Sequence, residues 1–282
     1  MNLIEKIITG INNLHTLPTV YTTLSKAIEN PRTSTDELAR IISADQVSVF
    51  KILKVVNSPF YGFRGKIDTI SQAIIHLGYN EVKNIIFALS VINFFKKDKV
   101  LLNFRPVDFW AHSIAVGIAT RMIGTAIGNK DMENYFLAGI IHDIGKLIFF
   151  EFAHKDYGVA LELVESKQIS IGEAEQEVFG IDHSRAGQML ADKWKLPQSI
   201  QNTILFHHTG FVGGECDPLV ASVHIGDIVA RMLELGYAGD NLIPEPNHKV
   251  WSSLNIPKGF FDMIRKRLKE DFAQTVHVML VE

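Results

Sequence analysis

The sequence predicts an all-α protein, a two-lobed helical bundle with a metal-site lobe in its C-terminal part. Three observations carry that expectation. Apolar residues recur at helical spacing almost throughout, while the alternating pattern of strands is scarce. After Phe95 the composition shifts to KKDKVLLNFRP, which places a boundary near residue 103 and gives lobes of 1–103 and 104–282. Seven of the eleven histidines fall between residues 112 and 224, inside the second lobe.

In order along the chain, Leu3, Ile4, Ile7, Ile8, Ile11 and Leu14 form the stripe of a first helix. Pro18 suits the first turn of a second helix, and Pro31 closes it after Asn30. STDELARIIS carries capping residues followed by Glu37, an N-terminal box. QVSVFKILKVVN follows, stopped by Ser58-Pro59, and FYGFRGKID reads as a loop. TISQAIIHLGYN is a helix ended by Gly78. Asn80 is then expected to cap EVKNIIFALSVINFF, which is apolar almost all round and therefore buried. Pro106 opens the second lobe, with helices over 106–128, 131–150, 153–167, 170–179, 182–194, 197–208 and 217–235. A Pro- and Gly-bearing segment, 236–256, leads to a last helix over 257–280.

The net charge of -3 over 282 residues argues against nucleic acid as the main partner. The basic stretch RKRLK at 265–269 reads as the solvated face of a helix. A single cysteine, Cys216, excludes a disulfide within the chain, and no CxxC pair offers thiolates to zinc. The stretch MNLIEKIITGINNL interrupts its apolar residues with Glu5 and Lys6, so it lacks the core of a signal peptide. No apolar run reaches membrane-spanning length. The expectation is a soluble, cytoplasmic protein with no membrane partner.

The stretch AGIIHDIGKLIFF, residues 138–150, reads as an apolar helix, yet it carries His142, Asp143 and Lys146. Burying ionisable groups costs several kcal/mol unless each finds a partner. His15, His154, His248 and His277 read as structural or surface residues, and His76 suits a helix C-terminus. The others form a pattern. Asp108 and His112 lie four apart on one helix face. His142-Asp143, His183, His207-His208 and Asp227 each belong to a different helix in an otherwise apolar setting. All-helical metal sites look like this, with each buried helix projecting one or two ligands inward. Imidazole and carboxylate suit Zn, Fe, Mn or Ni. A divalent ion would acidify water. Adjacent ligands point about 100° apart on a helix, which suits a bridging Asp143 beside a His142 that serves one ion. Lys146, one turn after His142, would neutralise a phosphate oxygen. Gly145 would let the backbone come close, and Ser113, Ala115, Gly117, Ala138 and Gly139 would let the ligand helices approach. His224, three residues before Asp227, reads as an orienting or packing residue. The competing reading is a set of buried His-Asp couples with no metal.

The order His112, His142-Asp143-x-Gly145-Lys146, His183, His207-His208, Asp227 resembles the HD superfamily of metal-dependent phosphohydrolases, with spacing closest to its HD-GYP branch. LPTVYTTLSKAIEN, DELARIISADQVSVFKILKVVNSPFYGF and IDTISQAIIHLGYNEVKNI resemble the HDOD domain, the HD-related output domain of bacterial signalling proteins. FWAHSIAVG, AGIIHDIGKL, GIDHSRAGQMLADKWKLPQSIQNTILFHH and VHIGDIVARML fit the same family, so the resemblance spans about 14–235. It implies an all-α regulatory module with an HD-type lobe. In many family members the metal set is incomplete, whereas here every HD position looks filled. Asp108 matches an extra carboxylate of some HD-GYP enzymes. After His207-His208 comes TGFVGGECDP, not the Glu and Gly-Tyr-Pro segment of that branch, which argues against cyclic dinucleotide hydrolysis. This stretch reads as an ordinary turn.

The preferred expectation is therefore a bacterial HDOD-type signal-transduction protein with one or two divalent metal ions and a protein partner. The alternative is a metal-dependent phosphohydrolase acting on a nucleotide or phosphodiester. There His112, His142, Asp143 and Asp227 would hold one ion, and His183, His207 and His208 a second, bridged by Asp143. Asp143 and Lys146 would be its catalytic residues.

Overall fold

The structure, a computed structural model, describes residues 3–14, 19–30, 32–95, 99–130 and 132–281. His15, Pro18 and Pro31, singled out above, lie outside these. Among the described residues the regular structure is helical apart from one short hairpin and an isolated bridge between Leu101 and Phe104. It divides into two compact units, one of residues 1–15 and 96–265, the other of residues 16–95 and 266–282.

The smaller unit holds α2 (Thr19–Glu29), α3 (Thr35–Ser43), α4 (Gln46–Val56), α5 (Ile70–Leu77) and α6 (Tyr79–Phe95). Short polar side chains start three of them by accepting otherwise orphaned backbone N–H groups. Ser34 accepts from Glu37, Asp45 from Val47 and Thr69 from Gln72. Gly78 ends α5 at φ +82, and α6 begins at once with Tyr79. Asn80 therefore lies in the first turn of α6 and is not its cap. As its all-round apolar character requires, α6 is the buried centre, with Val82, Ile85, Phe87, Leu89 and Ile92 in the core.

The larger unit begins with α1 (Leu3–Asn13) and continues with α7 (Pro106–Ala126), a 3-10 turn at Met132–Asn134, α8 (Tyr135–Ile141), α9 (Ile144–Phe152) and α10 (His154–Lys167). There follow α11 (Ile171–Phe179), α12 (His183–Lys193), α13 (Gln198–Phe206), a hairpin of β1 (Phe211–Val212) and β2 (Glu215–Cys216), α14 (Pro218–Met232) and α15 (His248–Ser253). The last helix, α16 (Phe260–Val276), carries the chain across the unit boundary. Phe104, Phe109, Phe149, Phe150 and Tyr157 form an aromatic core, with Phe149 stacked on Phe179 at 4.4 Å. Within the basic stretch 265–269, Arg265, Lys266, Arg267 and Lys269 are exposed and Leu268 is buried, as on the wet face of a helix.

Three expectations are corrected. The two-lobe division is not a single cut near 103. The apolar stripe of α1 packs on α9 and α12, so this helix belongs with the later lobe. The span 131–150 is not one helix. It breaks at His142-Asp143 because α8 packs along α7 while α9 turns to pack on α12. Segment 236–256 contains α15, capped by Asn247, which accepts from the Lys249 N–H. TGFVGGECDP is a turn, as its glycines suggest: Gly213-Gly214 join a two-stranded antiparallel hairpin, with Phe211 opposite Cys216.

Candidate metal centre

The larger unit brings four helices and two helix ends to one point. Glycine makes this possible where backbones cross. A Cβ on Gly139 would sit 2.5 Å from the Gly117 Cα, so α7 and α8 touch main chain to main chain. That contact draws His112 of α7 towards His142. A Cβ on Gly145 would collide with the His183 carbonyl oxygen and reach within 2.7 Å of the Gly187 N. Gly145 thus admits the backbone of α12, a close backbone approach of the kind its sequence position suggests. The break between α8 and α9 aims His142 and Asp143 at the same point, although neighbours on an unbroken helix would diverge.

Asp143 is the hub. Its Oδ2 lies 3.3 Å from His142 Nε2 and 2.5 Å from Lys146 Nζ. Its Oδ1 lies 3.2 Å from His183 Nε2 and 3.4 Å from His207 Nε2. Nearby, His112 Nε2 lies 2.9 Å from Asp227 Oδ1. His208 Nε2 approaches His183 Nε2 at 2.9 Å. Apart from exposed His208, these side chains are buried.

The rings are held in one orientation from behind. His142 Nδ1 donates to the Gly139 carbonyl at 2.7 Å, and His207 Nδ1 donates to the Ile204 carbonyl at 2.9 Å. A carbonyl only accepts, so a proton sits on each Nδ1, and a ring that carries only that proton turns its Nε2 lone pair inward. There it meets carboxylate oxygens, acceptor against acceptor. Among the described residues, His112, His142 and His207 Nε2 and Asp143 Oδ1 are buried without a hydrogen-bond partner. Each such atom costs about 1–3 kcal/mol. A divalent cation between them removes the penalty, so the donors present fit a metal ion. Three groups offer mutually close ligand atoms, all within 4.8 Å: His112, His142 and Asp227; His142, Asp143 and His207; His183, His207 and His208.

Electrostatics agree. Burial keeps His112 below its ordinary value and takes His207 down to about 4, so both are neutral. Burial would raise the Asp143 carboxyl, but the imidazoles of His142 and His183 and the Lys146 ammonium around it outweigh that and hold the group well below the usual range. Burial is likewise outweighed at Asp227 by Arg231 and His112.

Asp108 is not brought to this point. Arg105 grips its carboxylate, with Nη2 to Oδ1 at 2.8 Å. Lys146 is fully buried, tied to Asp143 and to the Ala238 carbonyl at 2.8 Å, so it holds the carboxylate and does not face a ligand space. His224 supports the site from behind, donating from Nδ1 to the His207 carbonyl at 2.9 Å. Of the histidines assigned structural or surface places, His76 is exposed against Phe63, His248 and His277 are exposed, and His154 Nδ1 donates to the Phe150 carbonyl.

Sequence reasoning missed three residues. Glu175 Oε2 accepts from the His183 backbone N–H at 2.7 Å and lies 2.5 Å from its Nδ1, fixing the ring and holding a proton between them. Its signal was present, since it lies on the buried stripe of Ile171, Ala174 and Phe179. Arg231, one turn after Asp227, pairs with it at 3.0 Å, and that spacing was legible. Asp240 pairs with Arg231 at 2.7 Å from a loop, where no periodicity marks it.

Fold and site together define an all-helical protein whose histidines and carboxylates converge on a buried point. The HDOD domain family model matches residues 14–210. The chain belongs to the HDOD family. Among solved structures, it is similar to an HDOD domain protein of unknown function from Geobacter sulfurreducens, with 26% identity and a TM-score of 0.82, covering 99% of this chain and 97% of that one. It shares its fold with a candidate phosphohydrolase from Shewanella amazonensis SB2B, at 17% identity and TM-score 0.74, covering 97% and 98% of the two chains. It shares it also with a candidate signal transduction protein from Marinobacter aquaeolei VT8, at 16% identity and TM-score 0.76, covering 98% and 65%. An uncharacterised protein of Treponema pallidum (strain Nichols) is 24% identical over 229 residues, which is 79% of this chain and 43% of the relative. The chain thus spans less than half the length of that relative. No helix among the described residues is long and apolar enough to cross a membrane.

Proposed function

We propose that the chain is an HDOD-type signal-transduction protein whose larger unit binds one or two divalent transition metal ions and whose output is a protein partner. The observation that carries the metal is the set of buried Nε2 atoms without partners, turned inward by carbonyls behind the rings. His112, His142, Asp143 and Asp227 would hold one ion; His183, His207 and His208, sharing Asp143, would hold a second. Zn, Fe, Mn or Ni suits this donor set. When bound, such an ion supplies Lewis-acid charge stabilisation and acidifies water. Support for regulation over phosphate chemistry comes from the two cations beside the carboxylates. Lys146 and Arg231 are both engaged by acceptors of the protein itself. Support for a partner comes from the smaller unit, where exposed Phe50 borders a groove of about 690 Å³ that Lys54 and Arg64 also line, with Lys66 paired to Asp68 at 2.7 Å, an apolar and net basic surface. The test is elemental analysis of the purified protein, with Fe, Mn or Zn supplied during expression, beside a panel of phosphodiesters. Bound metal without turnover is expected. Hydrolysis that His142→Ala abolishes would overturn the regulatory reading.

A second reading is a metal-dependent phosphohydrolase acting on a nucleotide or phosphodiester. Two ligand groups flanking one shared carboxylate favour it, because paired ions clamp the attacking and leaving oxygens of a phosphoester. In it, Asp143 would bridge the ions and Lys146 would keep Asp143 charged. The exposed edge of His208 would be where substrate arrives.

A further inference from the structure

Two buried cations connect the candidate ligands to one stretch of chain. Lys146 Nζ holds Asp143 Oδ2 at 2.5 Å and donates to the Ala238 carbonyl at 2.8 Å. Arg231 Nε holds Asp227 Oδ1 at 3.0 Å, while Nη1 donates to Asp240 Oδ1 at 2.7 Å and to the Leu242 carbonyl at 3.1 Å. Each carboxylate of the site is therefore one side chain away from segment 236–243. That segment is pinned elsewhere too. The Tyr237 N–H donates to the Asp108 carbonyl at 3.0 Å, and a Cβ on Gly236 would collide with the His112 backbone. Asp240 Oδ2 accepts from the Ile171 N–H at 3.0 Å, and Oδ1 from the Leu242 N–H at 2.9 Å. A cavity of about 290 Å³ borders the segment, lined by His112, Arg231, Tyr237, Asp240, Leu242 and Ile243. Leu242 and Ile243 are exposed there.

We propose that segment 236–243 is a strap that reports metal occupancy: loading the site tightens it, and loosening it weakens metal binding. This rests on the metal reading above. With no ion, Asp143 Oδ1 lies 3.2 Å from His183 Nε2 and 3.4 Å from His207 Nε2 and makes no hydrogen bond among the described residues, so the carboxylate is held only loosely from that side. A cation there immobilises Asp143 and Asp227. The bonds those carboxylates make to Lys146 and Arg231 are then fixed, and with them the second bonds of both cations to the strap. Coupling of this kind is reciprocal, so the strap also sets metal affinity.

The experiment is hydrogen exchange on the full chain, stripped with chelator and then loaded with Mn(II) or Zn(II), with occupancy read by elemental analysis. Amides of 236–243 are expected to exchange about fivefold or more slowly in the loaded protein. Unchanged or faster exchange at full occupancy overturns the strap and leaves the metal site standing. A protein that takes up no metal overturns both. Asp240→Asn supplies the reciprocal arm, since Asp240 touches Arg231 and backbone amides but no candidate ligand. With its fold checked by circular dichroism, the variant is expected to bind metal about fivefold or more weakly. Wild-type affinity in a folded variant overturns the coupling. Should that variant misfold, the exchange measurement on the wild-type chain decides alone.

Discussion

Glu175 decides how His183 meets the rest of the site, because one of its oxygens binds both the backbone and the ring of that histidine. Orienting carboxylates of this kind are worth about 10–100-fold in metal affinity. Glu175→Gln keeps the shape and removes the charge, so a competition titration should show a loss in that range; undiminished affinity would deny Glu175 the role. The same pair governs a pH effect. Burial opposes charge on His183, but Glu175 and Asp143 outweigh it and raise the ring to about 9. An unfolded histidine titrates near 6.5. The folded state therefore gains from this proton fully below about pH 6.5 and loses that gain as pH rises through about 9. In chelator, the urea midpoint should fall between pH 6 and pH 9.5, and a flat profile would contradict the assignment. Gly145→Ala forces a methyl group against the His183 carbonyl. A cost of about 3 kcal/mol or more in urea unfolding is expected. Most of this chemistry was legible in the sequence. His112, His142, Asp143, His183, His207, His208 and Asp227 stand on separate helical segments, and their types already suit one cation. Asp108 was misplaced because helical spacing sets its face while Arg105, three residues earlier, takes its charge.

At the scale of elements, periodicity located the helices well, since apolar stripes are a local property of sequence. It joined α8 to α9 because AGIIHDIGKLIFF is apolar enough to continue as one helix. The break comes from two different packing partners, α7 and α12, which no local pattern displays. It left 236–256 as a connector because turn residues there hide both α15 and the carbonyls that hold Lys146 and Arg231. One interaction between elements is testable directly. Lys193 of α12 reaches the end of α1, donating to the carbonyls of Ile11 at 2.5 Å, Asn12 at 2.6 Å and Leu14 at 2.9 Å. These are carbonyls that a helix C-terminus leaves unsatisfied. Lys193→Met should cost about 1.5–3 kcal/mol and speed proteolysis within residues 3–14. Unaltered proteolysis would mean that α1 is held by its apolar stripe alone.

For the whole molecule, metal that binds only the folded state stabilises by mass action, about 2.7 kcal/mol at 100 times its dissociation constant. For a unit of this size that is a rise in Tm of about 5–10 °C. Calorimetry with Zn(II) or Mn(II) should show the rise and chelator should reverse it; a melt indifferent to metal would contradict the site. The helical class was legible because burial patterns repeat along every segment. The chain's division was not, because α1 is separated in sequence from the helices it packs on. That separation bears on synthesis at the ribosome. Roughly 130 residues are made between the end of α1 at Asn13 and the start of α9 at Ile144. At 5–20 residues per second the interval is on the order of 7–26 s. Through it, Ile7 and Ile11 await their native cover, so this lobe cannot mature in the order it is translated.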